Sequence, residues 1–320
     1  VTLSKKTEAG VRGRFAPSPS GRMHLGNAAA ALLSWLSVRS RQGTFVLRME
    51  DLDPQRSHKS FASQILDDLD WLGLRWDEGP DKPGPCGPYR QSERTVLYRQ
   101  QLNRLKEQGL IYPCFCSRAD LHSAEAPHGT DGELRYGGRC RHLTEGQRNQ
   151  LEQQRPAALR VMTDERLICF EDGLQGRFCR RLSEQCGDFI VCRSDGVVAY
   201  QLAVVVDDAL MGINEVVRGG DLLSSTPRQI YLYQQLGFKP PRFVHIPLLV
   251  NAQGQRLSKR DHALDLGELR QRYTARELLG HLAVLLGMIE QPVPVSAEEL
   301  IPLFDWNRIR RQVCTVPDSL

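Results

Sequence analysis

No apolar run in this 320-residue chain reaches the roughly 20 residues that a membrane-spanning helix needs. The opening residues, VTLSKKTEAGVRGRF, lack the apolar core of a secretion signal, so a cytoplasmic location is expected. Internal repeats and low-complexity tracts are absent. Charge of neither sign dominates: 42 Lys and Arg against 38 Asp and Glu leave +4, which permits a polyanionic partner without demanding one. Nine cysteines, an odd number in a chain with no secretion signal, argue against a disulfide framework and for reduced thiols, some of them available to a metal. What is present is ample for folding. The chain is 41% apolar and 25% charged, and its length suggests two or three packed units.

The stretch RFAPSPSGRMHLGN (Arg14–Asn27) runs from a short apolar strand through two prolines and a glycine to the start of an Ala-rich helix. Taken alone it is ordinary strand-to-helix turn chemistry, since Pro and Gly punctuate loops and Ser or Asn caps helices. VRGRFAP reads as a first strand, Asn27–Arg41 as a helix, TFVLRME (Thr44–Glu50) as a buried parallel strand and His58–Leu72 as a second helix. Strand–helix–strand–helix opens a doubly wound α/β domain. After the Pro/Gly-rich break PDKPGPCGPY comes another helix, SERTVLYRQQLNRLKEQG. Beyond Tyr112 the periodicity stops, and Pro113–Arg155, rich in Cys, His, Gly and charge, reads as an inserted module. FVHIPLLV is a further buried strand, and the residues from Leu264 onward look helical with a Pro-containing tail.

After FVHIPLLV comes the basic loop Arg256-Leu257-Ser258-Lys259-Arg260, read as mobile and able to meet a triphosphate through its cations and donors. A basic loop alone is usually only solvated. Together, His24-Leu25-Gly26-Asn27 and Arg256–Arg260 resemble the HIGH and KMSKS signatures of class I aminoacyl-tRNA synthetases, in the right order and each behind a predicted strand. The resemblance implies an α/β fold: a Rossmann-type catalytic domain with an inserted zinc-containing module and a helical C-terminal segment. The expected units are 1–112 and 186–263 for the two catalytic halves, 113–185 for the insert and 264–320 for the helical segment. ATP would then bind at His24, Gly26, Asn27, Ser258 and Lys259. His24 and Lys259 act in catalysis, the first donating to phosphate beside helix N-terminal amides and the second neutralising the leaving pyrophosphate. Attack of a carboxylate on the α-phosphorus of ATP, with magnesium travelling with the nucleotide, needs alignment and charge stabilisation, so no nucleophilic triad is required.

The segments RFAPSPSGRMHLGN, RMEDLDPQRS, QSER, YQLAVVVDDALMGINEVVRGGDLLSSTPRQ and RLSKRD resemble glutamyl-tRNA synthetases over most of residues 12–265. In that family the positions matching Arg14, Ala16, Ser18, Glu50, Tyr200 and Arg218 surround glutamate. The chemistry agrees: two carboxylates want two guanidinium groups, Arg14 and Arg218, and one ammonium wants an acid, Glu50. Tyr200 adds a hydroxyl and a flat apolar face. Singly, Glu50 beside Asp51 is a charged strand end and Arg218 before Gly219-Gly220 a turn arginine; their order within the motifs is what singles them out. Asp207 and Asp208 tempt one toward a metal site but are expected to hold backbone structure near the active site.

Two departures, Val204 where some glutamyl enzymes carry Asn and Asn27-Ala28-Ala29 where they usually have an Arg, resemble the glutamyl-Q tRNA(Asp) synthetase family. So does a chain ending at Leu320, which leads to the expectation of no anticodon-binding domain. That resemblance implies glutamate activation and transfer to the queuosine base in the anticodon of tRNA(Asp). The expected partners are that anticodon arm, L-glutamate and ATP, with no membrane, and the chain is expected to be a monomer. The rival readings are charging of a tRNA 3′ end, a non-catalytic RNA-binding paralogue, and a ligase using another acceptor such as a thiol.

Cys114, Cys116 and Cys140 are three soft ligands in a small insert with little core, which suggests one structural zinc. The family resemblance makes Tyr136 the fourth ligand, whereas chemistry alone favours His142 or His128. Cys86, Cys169, Cys179, Cys186, Cys192 and Cys314 show no ligand spacing and read as ordinary packing. Arg139, Arg141, Arg148 and Arg155, with Arg177, Arg180 and Arg181, are scattered cations of the kind that meet RNA phosphates.

Overall fold

The computed structural model describes residues 10–117, 120, 135–255, 257, 264–317 and 320. Its centre is a four-stranded, wholly parallel sheet built from β1 (Arg12–Phe15), β2 (Thr44–Leu47), β8 (Glu215–Gly219) and β9 (Arg242–Ile246), in the order β2-β1-β8-β9. The chain leaves β1 on one side to reach β2 and returns on the other side at β8. That reversal opens a crevice beyond the carboxyl ends of β1 and β8, where α/β sheets of this kind hold their ligands.

Helix α1 (Leu25–Arg39) lies between this sheet and the C-terminal helices, and it is apolar nearly all round because both its faces are covered. It begins two residues earlier than its apolar period suggests. The cause is His24, whose Nδ1 accepts the Gly26 N–H at 3.1 Å while the Asn27 side chain accepts the His24 N–H at 3.1 Å. This reciprocal cap contributes on the order of 1 kcal/mol. Gly13 lets α1 approach β1 closely, since a Cβ there would stand 2.5 Å from Val38 Cγ2. The polar groups that α1 carries into the core are satisfied: Ser34 donates to the Arg14 carbonyl at 3.0 Å and Ser37 to Glu215 at 2.6 Å.

Helices α2 (Lys59–Trp71) and α3 (Thr95–Glu107) follow, and then the inserted region. Its antiparallel sheet joins β3 (Ile111–Cys114), β4 (Ala158–Val161) and β7 (Phe189–Cys192), so it runs past the boundary expected at 185. Between them β5 (Leu167–Asp172) and β6 (Gly176–Arg181) form a separate hairpin. The C-terminal residues are not helical throughout: after the helices Leu266–Arg272 and Ala275–Leu286 the tail returns as β11 (Cys314–Thr315), parallel to β10 (Leu249–Val250). Among the described residues no helix is long and apolar enough to cross a membrane.

The expectation of reduced thiols throughout is corrected by the hairpin. Cys169 and Cys179 lie directly opposite each other in the β5–β6 ladder and form a disulfide, leaving seven free cysteines. Parity of the cysteine count carries no information about which residues a register places face to face.

Beneath the crevice sits a buried charge network that corrects the expected role of Asp207 and Asp208, which hold side chains and not backbone. Asp208 accepts from Arg14 Nε at 3.2 Å and from Arg48 Nη1 at 2.7 Å. Asp207 accepts from Arg94 Nε at 2.6 Å, Gln91 Nε2 at 2.8 Å and the Tyr98 hydroxyl at 2.9 Å. The QSER segment therefore anchors α3 to the helix Tyr200–Leu210. Burial alone would push the Asp208 carboxyl up, but Arg14 and Arg48 outweigh it and hold it below the usual range.

Two predictions follow from this architecture. Thiol titration of the denatured, unreduced chain should find seven reactive groups out of nine, and nine would remove the disulfide. Replacing Asp208 by Asn should destabilise the fold by about 3–5 kcal/mol at neutral pH, since it leaves the buried Arg14 without its counter-ion and takes one of three from Arg48. Because the folded carboxyl titrates below its unfolded value, that stabilisation is complete above the ordinary Asp range and is lost as pH falls through the depressed value. The gap between wild type and Asp208→Asn in chemical denaturation should therefore close on acidification. A pH-independent gap would contradict the network.

Candidate functional site

The crevice is a cleft of ≈ 500 Å³, and its walls include Arg14, Ala16, Ser18, His24, Gly26, Asn27, Glu50, Tyr200 and Arg218. All the described residues that the sequence marks for glutamate and ATP thus converge on one space. Ser258, Lys259 and their neighbours Arg256 and Arg260 lie outside the described residues, while Leu257 between them is buried and lines the cleft.

Arg14 lies near the end of β1 and Arg218 near the end of the adjacent β8, so parallel pairing brings two guanidinium groups to the same mouth. Arg14 is 4% exposed and Arg218 5%, and each is held by its inner nitrogens. Arg218 donates through Nε to His245 Nε2 at 3.0 Å and through Nη2 to Thr226 Oγ1 at 2.7 Å, whereas its Nη1 is buried without a partner. A buried cationic donor in a cleft that no protein group satisfies calls for an anionic ligand. Burial lowers the Arg218 guanidinium, with Arg14 adding to the effect, yet arginine stays charged at neutral pH.

Glu50 supplies the opposite sign. Its backbone N–H donates to the Pro17 carbonyl at 3.0 Å, which ties the strand end to the Pro-rich loop. Its carboxylate accepts from Arg48 Nη2 at 3.2 Å. Burial pushes the Glu50 carboxyl up from its ordinary value, and Arg48 and Arg14 pull it back only in part. A cation arriving beside Glu50 would relieve that strain. Arg48, fully buried beneath it, was not among the residues singled out from sequence; its place in RMED, two before Glu50, was the available signal.

The nucleotide end of the cleft departs from expectation in one respect. The N–H groups of Gly26, Asn27 and Ala28 are already satisfied at His24, by its ring or its carbonyl. These amides are therefore not open to phosphate, and the helix start presents its dipole to the cleft with the His24 ring among the cleft walls. Because Nδ1 accepts, the neutral imidazole carries its proton on Nε2. A second cleft of ≈ 350 Å³ shares Ser18, Ser20, Glu50 and Tyr200 with the first and is flanked by Asp53, Arg56, Gln91 and Arg193.

A third constellation lies in the inserted region. The sulfurs of Cys114, Cys116 and Cys140 are within 4.8 Å of one another, with 3.6 Å between Cys116 and Cys140. The Tyr136 oxygen stands 3.5 Å from Cys114 Sγ and 3.9 Å from Cys116 Sγ, while His142 is exposed and outside the group and His128 lies outside the described residues. Ligands about 2.3 Å from a tetrahedral zinc stand about 3.8 Å apart, so the donors present have a suitable separation. Arg160 donates to Cys114 Sγ at 3.2 Å and stacks 3.8 Å over the Tyr136 ring, setting a buried cation against this donor group. Of the arginines considered for RNA, Arg141 faces Asp188 at 3.7 Å and Arg181 pairs with Glu184 at 3.0 Å.

Residues 10–316 match the family described as tRNA synthetases class I (E and Q), catalytic domain. The chain is 52% identical over 311 residues to a glutamyl-Q tRNA(Asp) synthetase of Symbiobacterium thermophilum, covering 95% of each. It is 49% identical over 315 residues to one of Nitratidesulfovibrio vulgaris, covering 97% of each. A glutamate-tRNA synthetase structure from Elizabethkingia anophelis superposes with a TM-score of 0.84 at 29% identity, over 97% of this chain and 68% of that one. With the two arginines, the acid that shares their cleft and the capped helix in place, the chain belongs to the class I tRNA synthetase family of glutamyl and glutaminyl enzymes, in its glutamyl-Q tRNA(Asp) synthetase branch, and is a ligase.

Proposed function

We propose that the chain activates L-glutamate with ATP and transfers the glutamyl group to the queuosine base in the anticodon of tRNA(Asp). The observation that carries the glutamate assignment is the convergence of Arg14, Arg218 and Glu50 on one cleft. Two cations with one acid complement two carboxylates with one ammonium, and a neutral or longer-range arrangement would fit glutamine or a cationic amino acid instead. The names of the relatives above support the choice of acceptor.

The residues divide the work as follows. Arg14 and Arg218 clamp the carboxylates, Glu50 takes the ammonium, and Ala16 and Ser18 keep the loop close to the substrate. Tyr200, 38% exposed at the start of its helix, closes the mouth with a flat face and a hydroxyl. Held this way, the α-carboxylate attacks the α-phosphorus of ATP, which enters as its magnesium complex, and pyrophosphate leaves. The His24 Nε2–H donates toward phosphate, and Lys259 with Ser258 offsets charge on the departing pyrophosphate. An acceptor hydroxyl then attacks the acyl carbon and AMP leaves. The second cleft, which shares Glu50 and Tyr200 with the first, offers an approach for that hydroxyl.

Cys114, Cys116, Tyr136 and Cys140 would hold one zinc ion, which when bound ties the ends of the insert together. Its function is structural, shaping the surface that meets RNA, and no step of the reaction runs through it.

The decisive test is glutamate-dependent ATP–pyrophosphate exchange without RNA, followed by localisation of radiolabelled glutamate on tRNA(Asp) with and without queuosine. Exchange with glutamate, and labelling only of the queuosine-containing anticodon, is expected. Label at the 3′ end would convert the reading to ordinary tRNA charging, and silence in both assays would leave a binder. Lys259→Ala should slow adenylate formation by about 100-fold or more while the Michaelis constant for glutamate stays near wild type. An unchanged rate would remove the assigned role. Metal analysis should return about one zinc per chain, and Cys140→Ala should abolish it.

A further inference from the structure

The tip of the β5–β6 hairpin reaches out of the inserted region and grips β9. Gly173 N–H donates to the Phe243 carbonyl at 2.8 Å, and the Gln175 side chain donates to the His245 carbonyl at 2.9 Å. At the centre of this contact stands Asp172. Its Oδ1 accepts three backbone N–H groups, from Leu174 at 3.0 Å, Gln175 at 2.9 Å and His245 at 3.1 Å. Its Oδ2 lies 2.6 Å from His245 Nδ1. Both side chains have no exposure to water. On its other edge the imidazole Nε2 meets both Arg218 Nε and Thr226 Oγ1 at 3.0 Å.

Only one proton arrangement satisfies this line. A carboxylate can only accept, so His245 Nδ1 must carry hydrogen; Nε2 is then bare and accepts from the guanidinium, which can only donate. We propose that Asp172 and His245 are positioning residues that fix Arg218 for its substrate carboxylate, so that part of glutamate recognition is set from the inserted region 73 residues away. The inference rests on the assignment of Arg218 to glutamate. The line uses Nε of Arg218, and Thr226 uses Nη2, which leaves Nη1 for the ligand. With Nε and Nη2 both held, the planar guanidinium cannot turn about its stem, and Nη1 keeps one direction in the cleft.

The experiment uses the full chain and reads two quantities: the tautomer of His245 by ¹⁵N NMR, and the affinity for L-glutamate by calorimetry without ATP. In wild type, Nδ1 is protonated and Nε2 is bare. Asp172→Asn is nearly isosteric, but its carbonyl is needed by the backbone donors, so its NH₂ faces the ring. That inverts the tautomer and sets an Nε2–H against the Arg218 Nε–H, as amide-for-carboxylate exchange does beside other imidazoles. Glutamate affinity should fall by roughly tenfold or more, the size of one charged hydrogen bond, while ATP affinity is unchanged.

A second comparison separates positioning from packing. His245 lies among Phe170 and Phe243, with ring centroids at 6.4 Å and 6.2 Å, so a packing role alone favours His245→Phe over His245→Gln. The positioning role favours Gln, whose amide offers one donor and one acceptor. Tighter glutamate binding by the Gln variant than by the Phe variant supports the proposal. Equal or reversed order, or an Asp172→Asn chain that binds glutamate as wild type does, overturns it. A wild-type chain that does not bind glutamate overturns the substrate assignment and this inference with it, which distinguishes the two failures.

Discussion

Asp208, almost sealed from water, holds Arg14 of the first strand and Arg48 at the end of the second, and the second of these in turn holds Glu50. Remove that one negative charge and Arg14 loses its counter-ion, Arg48 is left with Glu50 and Asp207, and Glu50 loses the geometry of its own partner. A cleft of this composition keeps cations and an acid close together without letting them collapse onto one another. Here the inner edge of Arg14 is occupied by Asp208 and that of Arg218 by His245 and Thr226, which keeps both guanidinium planes oriented where they line the cleft. The local dielectric makes each such pairing stronger than in water, and makes any vacancy in it expensive.

The sheet order explains why this network sits where it does. With β1 between β2 and β8, the carboxyl ends of three strands deliver Arg14, Glu50 and Arg218 within one crevice although they are separated by up to about two hundred residues in the chain. The helix Tyr200–Leu210 brings Tyr200 to the mouth with its first residue and Asp207 and Asp208 to the charge network beneath with its last turn. One helix therefore ties the lip of the site to its foundations, and QSER ties that helix to α3.

Much of the cleft was legible because its residues belong to short contiguous segments whose residue types announce their chemistry: the strand-to-loop turn behind Arg14, the strand end at Glu50, the strand end at Arg218. The supporting charges were not legible, since Asp208 finds Arg48 across 160 residues and Asp172 finds His245 across 73, and neither pairing has a local period. Cys169 and Cys179 meet through hairpin register, which turn position sets and cysteine counting does not. Tyr136 shows the reverse case: donor chemistry alone pointed to a histidine, while the fold brings the tyrosine beside the sulfurs and leaves His142 in solvent.

The cap on α1 narrows the choice of residue at position 24 more than the proposed phosphate contact does. Lysine, arginine or a serine hydroxyl all donate to a phosphate oxygen. The first turn of the helix also demands an acceptor at the Gly26 amide, which rules out lysine and arginine, and serine is too short to serve a distant phosphate while capping. Imidazole meets both demands on one rigid ring, accepting at Nδ1 and donating at Nε2. The ring that caps α1 also lines the cleft, so the start of the helix and one wall of the cleft are set by a single side chain.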